Sequence, residues 1–272
     1  MACRTIECRT SRLITVMVVP FMSCSARLPI YMMIVGTFFS EWAGTALFLL
    51  YLLGILMAVV SARLMRRFMF REQEAPFVME LSPYRMPTAK TTLKHMWNKC
   101  AQYIKKMGGL ILIASIVVWL LSYYPRPQNS NTEENAPSYE LSYMGKIGQF
   151  CEPVFEPMGL GWQASVAILS GIPAKEIDVS TMNVLYAHPD DTDTGDGEEL
   201  SHHAQQRIAK SMSTPSAVAF LIFSLLYLPC IATIMAIASE LNWKWAVGSA
   251  LYNTAVAWLL AWVAYLVTSL LV

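Results

Sequence analysis

Charge is what this chain has least of. Only 14% of its 272 residues are Asp, Glu, Lys or Arg, against about 25% in an ordinary soluble domain. The net charge of +1 comes without the basic surface of a nucleic-acid binder, so that class is excluded. Six cysteines are too sparse for a disulfide framework, and none form a C-x-x-C pair. The missing C-x-x-C also weakens a thiol-redox reading. G-x-S-x-G, H-E-x-x-H and the glycine-rich phosphate loop ending in G-K-S/T are all absent, which removes the common hydrolase and nucleotide patterns. "NKCA" at Asn98 shares two letters with a guanine-reading motif but lacks its aspartate. No cleavable leader is visible, because "MACRTIECRTSR" is polar and the apolar run after it has no small-residue cleavage site.

What the chain has in excess is apolar surface: 55% hydrophobic residues and a mean hydropathy of +0.42. A crossing helix needs about 20 mostly apolar residues. Ala43–Leu64, Ser216–Ser239 and Trp245–Val272 meet that length. Met107–Tyr124 is slightly short and ends in aromatics suited to an interface. Two further apolar runs, Leu13–Phe39 and Trp162–Tyr186, are interrupted. The expected fold is therefore an all-α integral membrane protein, a multi-span helical bundle with two interrupted (half-)helices.

The interruptions carry the candidate chemistry. "PFMSCSARLP" sets Cys24 four residues after Pro20, and "SGIPAKEID" places Lys175, Glu176 and Asp178 just after Gly171 and Pro173. "LYLPC" sets Cys230 directly after Pro229 in a long span. A proline removes a helical hydrogen bond and frees a carbonyl one turn earlier. A thiol beside such a carbonyl pairs a soft with a hard ligand and suits a first-row transition metal. The alternative is that both cysteines pack as small hydrophobes. Glu176 is expected either to face a wet cavity and meet a cation, with Lys175 paired to it or to Asp178, or to snorkel at an interface. Ser170, Ser180 and Thr181 can add hydroxyls or simply pack helices. Broken helices at membrane depth mark transporter binding sites; re-entrant or interfacial helices without a transport role are the other reading. The acidic run around Asp191 and Asp193, flanked by His188, His202 and His203, reads as a solvated linker because Gly195 stands where a calcium loop needs oxygen.

Basic residues suggest sidedness. Residues 65–106 hold Arg66, Arg67, Arg71, Arg85, Lys90, Lys94, Lys99, Lys105 and Lys106, and the positive-inside rule makes this stretch cytoplasmic. Leu93, Met96, Trp97 and Cys100 recur at helical spacing there, as in an amphipathic surface helix. Counting onward, the segment after Tyr124 is external, 162–186 crosses back, and the acidic run is cytoplasmic. The last two spans then form a hairpin with both ends inside.

"RLITVMVVPFMSCSARLPIY", "ELSPYRMPTAKTTLKHMWNK", "GIPAKEIDVSTMNVLY" and "LYLPCIATIMAI" together resemble the C-terminal membrane region of the ferrous iron transporter B family, FeoB, in order along nearly the whole chain. The resemblance divides it into an N-terminal membrane segment (1–64), a basic cytoplasmic loop (65–106) and a second gate-type module from about Thr91 (91–272). That module has spans near 107–124, 162–186, 216–239 and 245–272. It implies Fe(II) as transported substrate, a bacterial inner-membrane location, and Cys24 and Cys230 on the iron path. Glu176 matches the glutamate of the family's GxxAKE motif. Asp178 and Asn183 depart from the pattern, which has small or apolar residues there. The family's GTPase domain, with its GTP and Mg, and its first gate are not in this chain, so they are expected partners, along with small accessory Feo proteins. The chain is expected to be no enzyme by itself. The competing class is a membrane scaffold that docks a partner carrying the active machinery.

Overall fold

The computed structural model describes residues 6, 9–68, 88–124, 142–186 and 205–271. All regular structure among them is helical. The helices that build the bundle are, in order, α1 (Arg9–Val18), α2 (Leu28–Phe38), α3 (Ala43–Phe68), α4 (Ala89–Tyr123), α5 (Tyr143–Phe155), α6 (Trp162–Ser170), α7 (Glu176–Tyr186), α8 (Thr214–Leu226), α9 (Ile231–Glu240) and α10 (Trp243–Leu271). Four segments are long and apolar enough to cross a membrane: Thr10–Phe38, Ser40–Phe68, Thr214–Glu240 and Trp243–Leu270. The first and third are broken at their centres. The expected multi-span helical bundle is present, and the Pro229 span adds a third interruption to the two read from hydropathy. Its cause is local, since α8 stops at Leu226 and Pro229 has no N–H with which to continue the ladder.

Packing follows from narrow stripes on otherwise apolar helices. In α3 the buried positions are Leu50, Gly54, Ala58, Ser61 and Met65, one helical face; leucines and valines elsewhere point outward, as lipid-facing residues do. Gly54 sits where a Cβ would stand 3.1 Å from the Phe21 carbonyl oxygen, so glycine lets α3 and the first break touch backbone to backbone. In α10 the buried stripe is small: Ala246, Ser249, Ala250, Asn253, Ala257 and Ala261. Small faces let helices approach closely, and α10 packs most extensively on α8. Between them and α2 lies the core of Phe21, Tyr31, Ile34, Phe220, Phe223 and Leu225, all nearly inaccessible.

The basic segment behaves differently from expectation. α4 is one continuous helix of 35 residues, about 52 Å long, so the predicted surface helix and the span after it are a single element. Leu93, Met96, Trp97 and Cys100 are all exposed on it. Helix α3 likewise carries its span on to Phe68, so Met65, Arg66 and Arg67 end a helix rather than begin a loop. Residues 69–87 of the predicted loop lie outside the described residues.

Contacts order the bundle from end to end. Arg12 and Leu13 of α1 share a crevice with Glu240, Leu241, Asn242 and Trp245, and Val16 packs on Ile237 and Ala246. The chain then reaches the middle, where Phe21 meets the Tyr252 ring edge-on at 6.2 Å. α2 continues toward the other end beside α7 and α8. α3 returns past Gly54, bringing Arg66 and Arg67 back to the first end. At the second end Gly159, in the left-handed region at φ 66°, rests on Ser216 and Tyr265, and Arg207 donates to the Tyr186 carbonyl at 3.5 Å.

Helices α6 and α7 therefore enter and leave at the same end. They lie side by side, Val166 and Leu185 line one crevice, and Asp178 is pressed onto Gly171 where any Cβ would overlap its carboxylate. The stretch 162–186, expected as a broken crossing, is folded back on itself as a hairpin. Glycine is the physical reason, because it alone leaves room for the chain to fold back so tightly. The α9–α10 turn lies with Arg12, Arg66, Arg67 and Lys244 at one end, and Tyr186 and the start of α8 lie at the other. The acidic run and its histidines, expected to be cytoplasmic, lie outside the described residues.

Candidate permeation site where three helix breaks meet

The hairpin tip, residues 171–175, reaches both broken spans. Ile231 N–H at the start of α9 donates to the Ile172 carbonyl at 3.1 Å. Tyr227, the residue after α8, donates its hydroxyl toward the Ile168 carbonyl at 3.1 Å and toward Asp178 Oδ2 at 3.4 Å. From the first break, Arg27 Nη1 donates to the Leu225 carbonyl and, at 3.4 Å, to the Pro20 carbonyl. Each contact satisfies a carbonyl or amide that a helix end would leave orphaned. Of the carbonyls expected to stand free, that of Leu225, one turn before Pro229, is engaged by Arg27.

Charge is concentrated at this junction. Lys175 is 3% exposed and Asp178 is 2% exposed, yet they are not bonded to each other. The Lys175 ammonium lies 3.1 Å from the centroid of the Tyr227 ring and has no hydrogen-bond partner. A desolvated ammonium on an aromatic face gains roughly 2 kcal/mol or more. The ring is held by stacking on Phe223, centroids 5.1 Å apart. Asp178 stands in the first turn of α7, where the helix N-terminus favours a carboxylate. Its Oδ2 faces Tyr227; its Oδ1, over Gly171, has no hydrogen-bond partner.

Pro20, Gly171, Pro173, Lys175 and Pro229 are all buried at the breaks. Cys24 is exposed and Cys230 half-buried, both as free thiols. Cys24 stands three residues before Arg27 and Cys230 directly before Ile231, so each adjoins a residue of the junction. Cys230 Sγ is 3.3 Å from Thr233 Oγ1. Glu176 is different: it is exposed and points away from the junction. The reason is helical phase. Two residues along α7 is a turn of about 200°, and the carboxylate on the inner face is Asp178. Ser170 Oγ donates to its own helix at Ala167 O, 2.8 Å away. Ser180 and Thr181 line a separate crevice of about 240 Å³ with Ser115, Ser122 and Ser142. Among the described residues no three of His, Cys, Asp or Glu cluster tightly enough to hold a metal. Arg27, Tyr227 and the inward role of Asp178 were missed in the sequence. The one visible signal was an arginine and an aspartate inside apolar runs.

Two crossing segments broken at their centres, met there by a re-entrant hairpin, define a polytopic helical membrane protein built on discontinuous helices. Residues 104–244 match the Gate family, described as nucleoside recognition, and residues 47–99 match the ferrous iron transport protein B C terminus. The chain belongs to the FeoB family, of which it is a membrane region carrying the Gate and C-terminal domains. It is similar to an Fe(2+) transport protein A/Fe(2+) transporter FeoB fusion protein of Porphyromonas gingivalis, at 43% identity over 97% of this chain and 35% of the relative. It is also similar to Fe(2+) transporter FeoB of Campylobacter jejuni (41% identity, 88% of this chain, 39% of the relative). The corresponding protein of Methanocaldococcus jannaschii is 37% identical over 100% of this chain and 39% of its own length. The chain thus spans well under half the length of these curated relatives. No solved structure matches it.

Proposed function

We propose that this chain is the membrane permease portion of a ferrous iron transporter, carrying Fe(II) across the bacterial inner membrane in concert with a GTPase domain and a first gate module. GTP and Mg act only through that GTPase domain; small accessory Feo proteins are further partners. The observation that carries the reading is the meeting of three helix breaks at Lys175, Asp178 and Tyr227, with Cys24 and Cys230 around them, in a chain of this family. Irregular backbone at membrane depth is tolerated where it is buried in protein or lines a cavity, and here it brings polar groups to the centre of two crossings. Fe(II) would pass the thiols of Cys24 and Cys230 and a carboxylate. The basic end, with Arg66 and Arg67, faces the cytoplasm.

The test is uptake of radioactive Fe(II) by cells lacking their own ferrous transporter. The chain expressed with the rest of a family transporter should restore uptake, and the double substitution Cys24→Ser and Cys230→Ser should lower it at equal expression. Unchanged uptake in the double variant would reduce both thiols to packing residues. A second reading, a non-transporting scaffold that docks a partner, is favoured by the absence of a three-ligand cluster among the described residues. In that case the rest of the transporter would move iron at the same rate whichever of the break residues is substituted.

A further inference from the structure

The junction holds two cations of unlike status. Arg27 is fixed, since one nitrogen spans the Leu225 and Pro20 carbonyls and so ties the first break to the third. Lys175 has no such bond: its ammonium is buried, lies on the Tyr227 ring face, and has no hydrogen-bond partner. Its natural counter-ion, Asp178, is just as buried and keeps one oxygen without a partner. Tyr227 stands between them, presenting its face to the ammonium and its hydroxyl to the carboxylate. An unbonded buried ammonium and a half-satisfied buried carboxylate are each costly.

We propose that Asp178 is a divalent-cation ligand of this chain and that Lys175 is the built-in cation that holds its place until an arriving ion displaces it. The inference rests on the permease reading and assigns two residues to it. A divalent ion entering between the breaks takes the unpartnered Asp178 oxygen as a hard ligand, with Cys230 near as a soft one. Lys175 then swings off the Tyr227 ring on its flexible stem. Arg27 stays, bracing the breaks. Glu176, outside the junction, takes no part in the exchange.

Equilibrium dialysis of the full chain in lipid nanodiscs against anaerobic Fe(II) tests this. Native chain should bind Fe(II), and Lys175→Met should bind it about ten-fold more tightly, having no internal competitor. Asp178→Asn should bind about ten-fold more weakly, and Lys175→Met should change nothing in the Asp178→Asn background. In Lys175→Ala, added methylammonium should refill the vacated place and weaken Fe(II) binding, while leaving native chain unaffected. A well-folded Lys175→Met with native or weaker affinity overturns the proposal. Should Lys175→Met not fold, Lys175→Arg carries the decision: a more firmly bonded cation must weaken Fe(II) binding, and native affinity there overturns it. A native chain that binds no Fe(II) overturns the permease reading itself, which is a separable result.

Discussion

Two interruptions that look alike in sequence do opposite things in space. Between α1 and α2, residues 19–27 form two short 3-10 turns, and the chain carries on across the bundle. Between α6 and α7, five residues turn the chain back on itself. Both stretches contain proline and charge within an apolar run, so hydropathy reads both as broken crossings. The difference lies in what the neighbours allow. Arg27 of the first break reaches forward to α8 and pins the chain in an extended passage, whereas Gly171 of the second has no side chain and accepts Asp178 against its Cα. A break alone does not say whether a segment crosses; the contact made just after it does.

The most decisive way to break this comparison is sidedness, where the outcome is all or none. Single cysteines placed in the Leu241–Asn242 turn and in 69–87 of a cysteine-free chain should react with an impermeant maleimide from the same side of the membrane. A cysteine in 187–204 should react from the opposite side. Labelling of 187–204 and 69–87 from one side would restore the crossing hairpin and remove the re-entrant one.

Next in size is the glycine contact. Gly171→Ala puts a methyl into the Asp178 carboxylate, and overpacking of this kind costs about 1–3 kcal/mol or more. Gly36→Ala, where nothing lies within 4 Å, should be neutral or gain up to about 1 kcal/mol. Thermal melts of the two variants in detergent read this directly, and equal melting temperatures would mean that Gly171 is not what closes the hairpin.

A smaller effect is expected at Tyr227. Replacing it with Phe keeps the ring under Lys175 but removes the hydroxyl that serves Ile168 and Asp178, a loss of roughly 1–3 kcal/mol where a buried acceptor is left alone. A Tyr227→Phe chain as stable as native would show the bridge between hairpin and third break to be dispensable. Smallest of all is Glu176→Gln, expected to leave iron uptake within about two-fold of native, since its carboxylate is exposed, while Asp178→Asn costs about ten-fold. The reverse order would return the ligand role to Glu176.

Much of the fold was legible without coordinates. Apolar runs gave the crossing segments, and prolines gave the places where helices stop, because a missing N–H breaks the ladder wherever it falls. The Pro229 interruption was written in "LYLPC", inside a span otherwise long enough to cross unbroken. Within the site, Lys175, Cys24 and Cys230 could be singled out as costly or reactive groups in apolar surroundings. Their common neighbourhood could not, since it depends on three elements far apart in sequence meeting at one depth.

What the sequence by itself determined is therefore local: an all-helical membrane chain, breaks at Pro20, Pro173 and Pro229, and a heavy excess of basic residues in 65–106. Each comes from the chemistry of a few adjacent residues. Only the tertiary structure decided which break turns back, which end of the bundle the last turn shares with the arginines, and which carboxylate faces inward. Those depend on whether Asp178 has room against Gly171 and on the helical phase of α7, and packing between distant segments sets both.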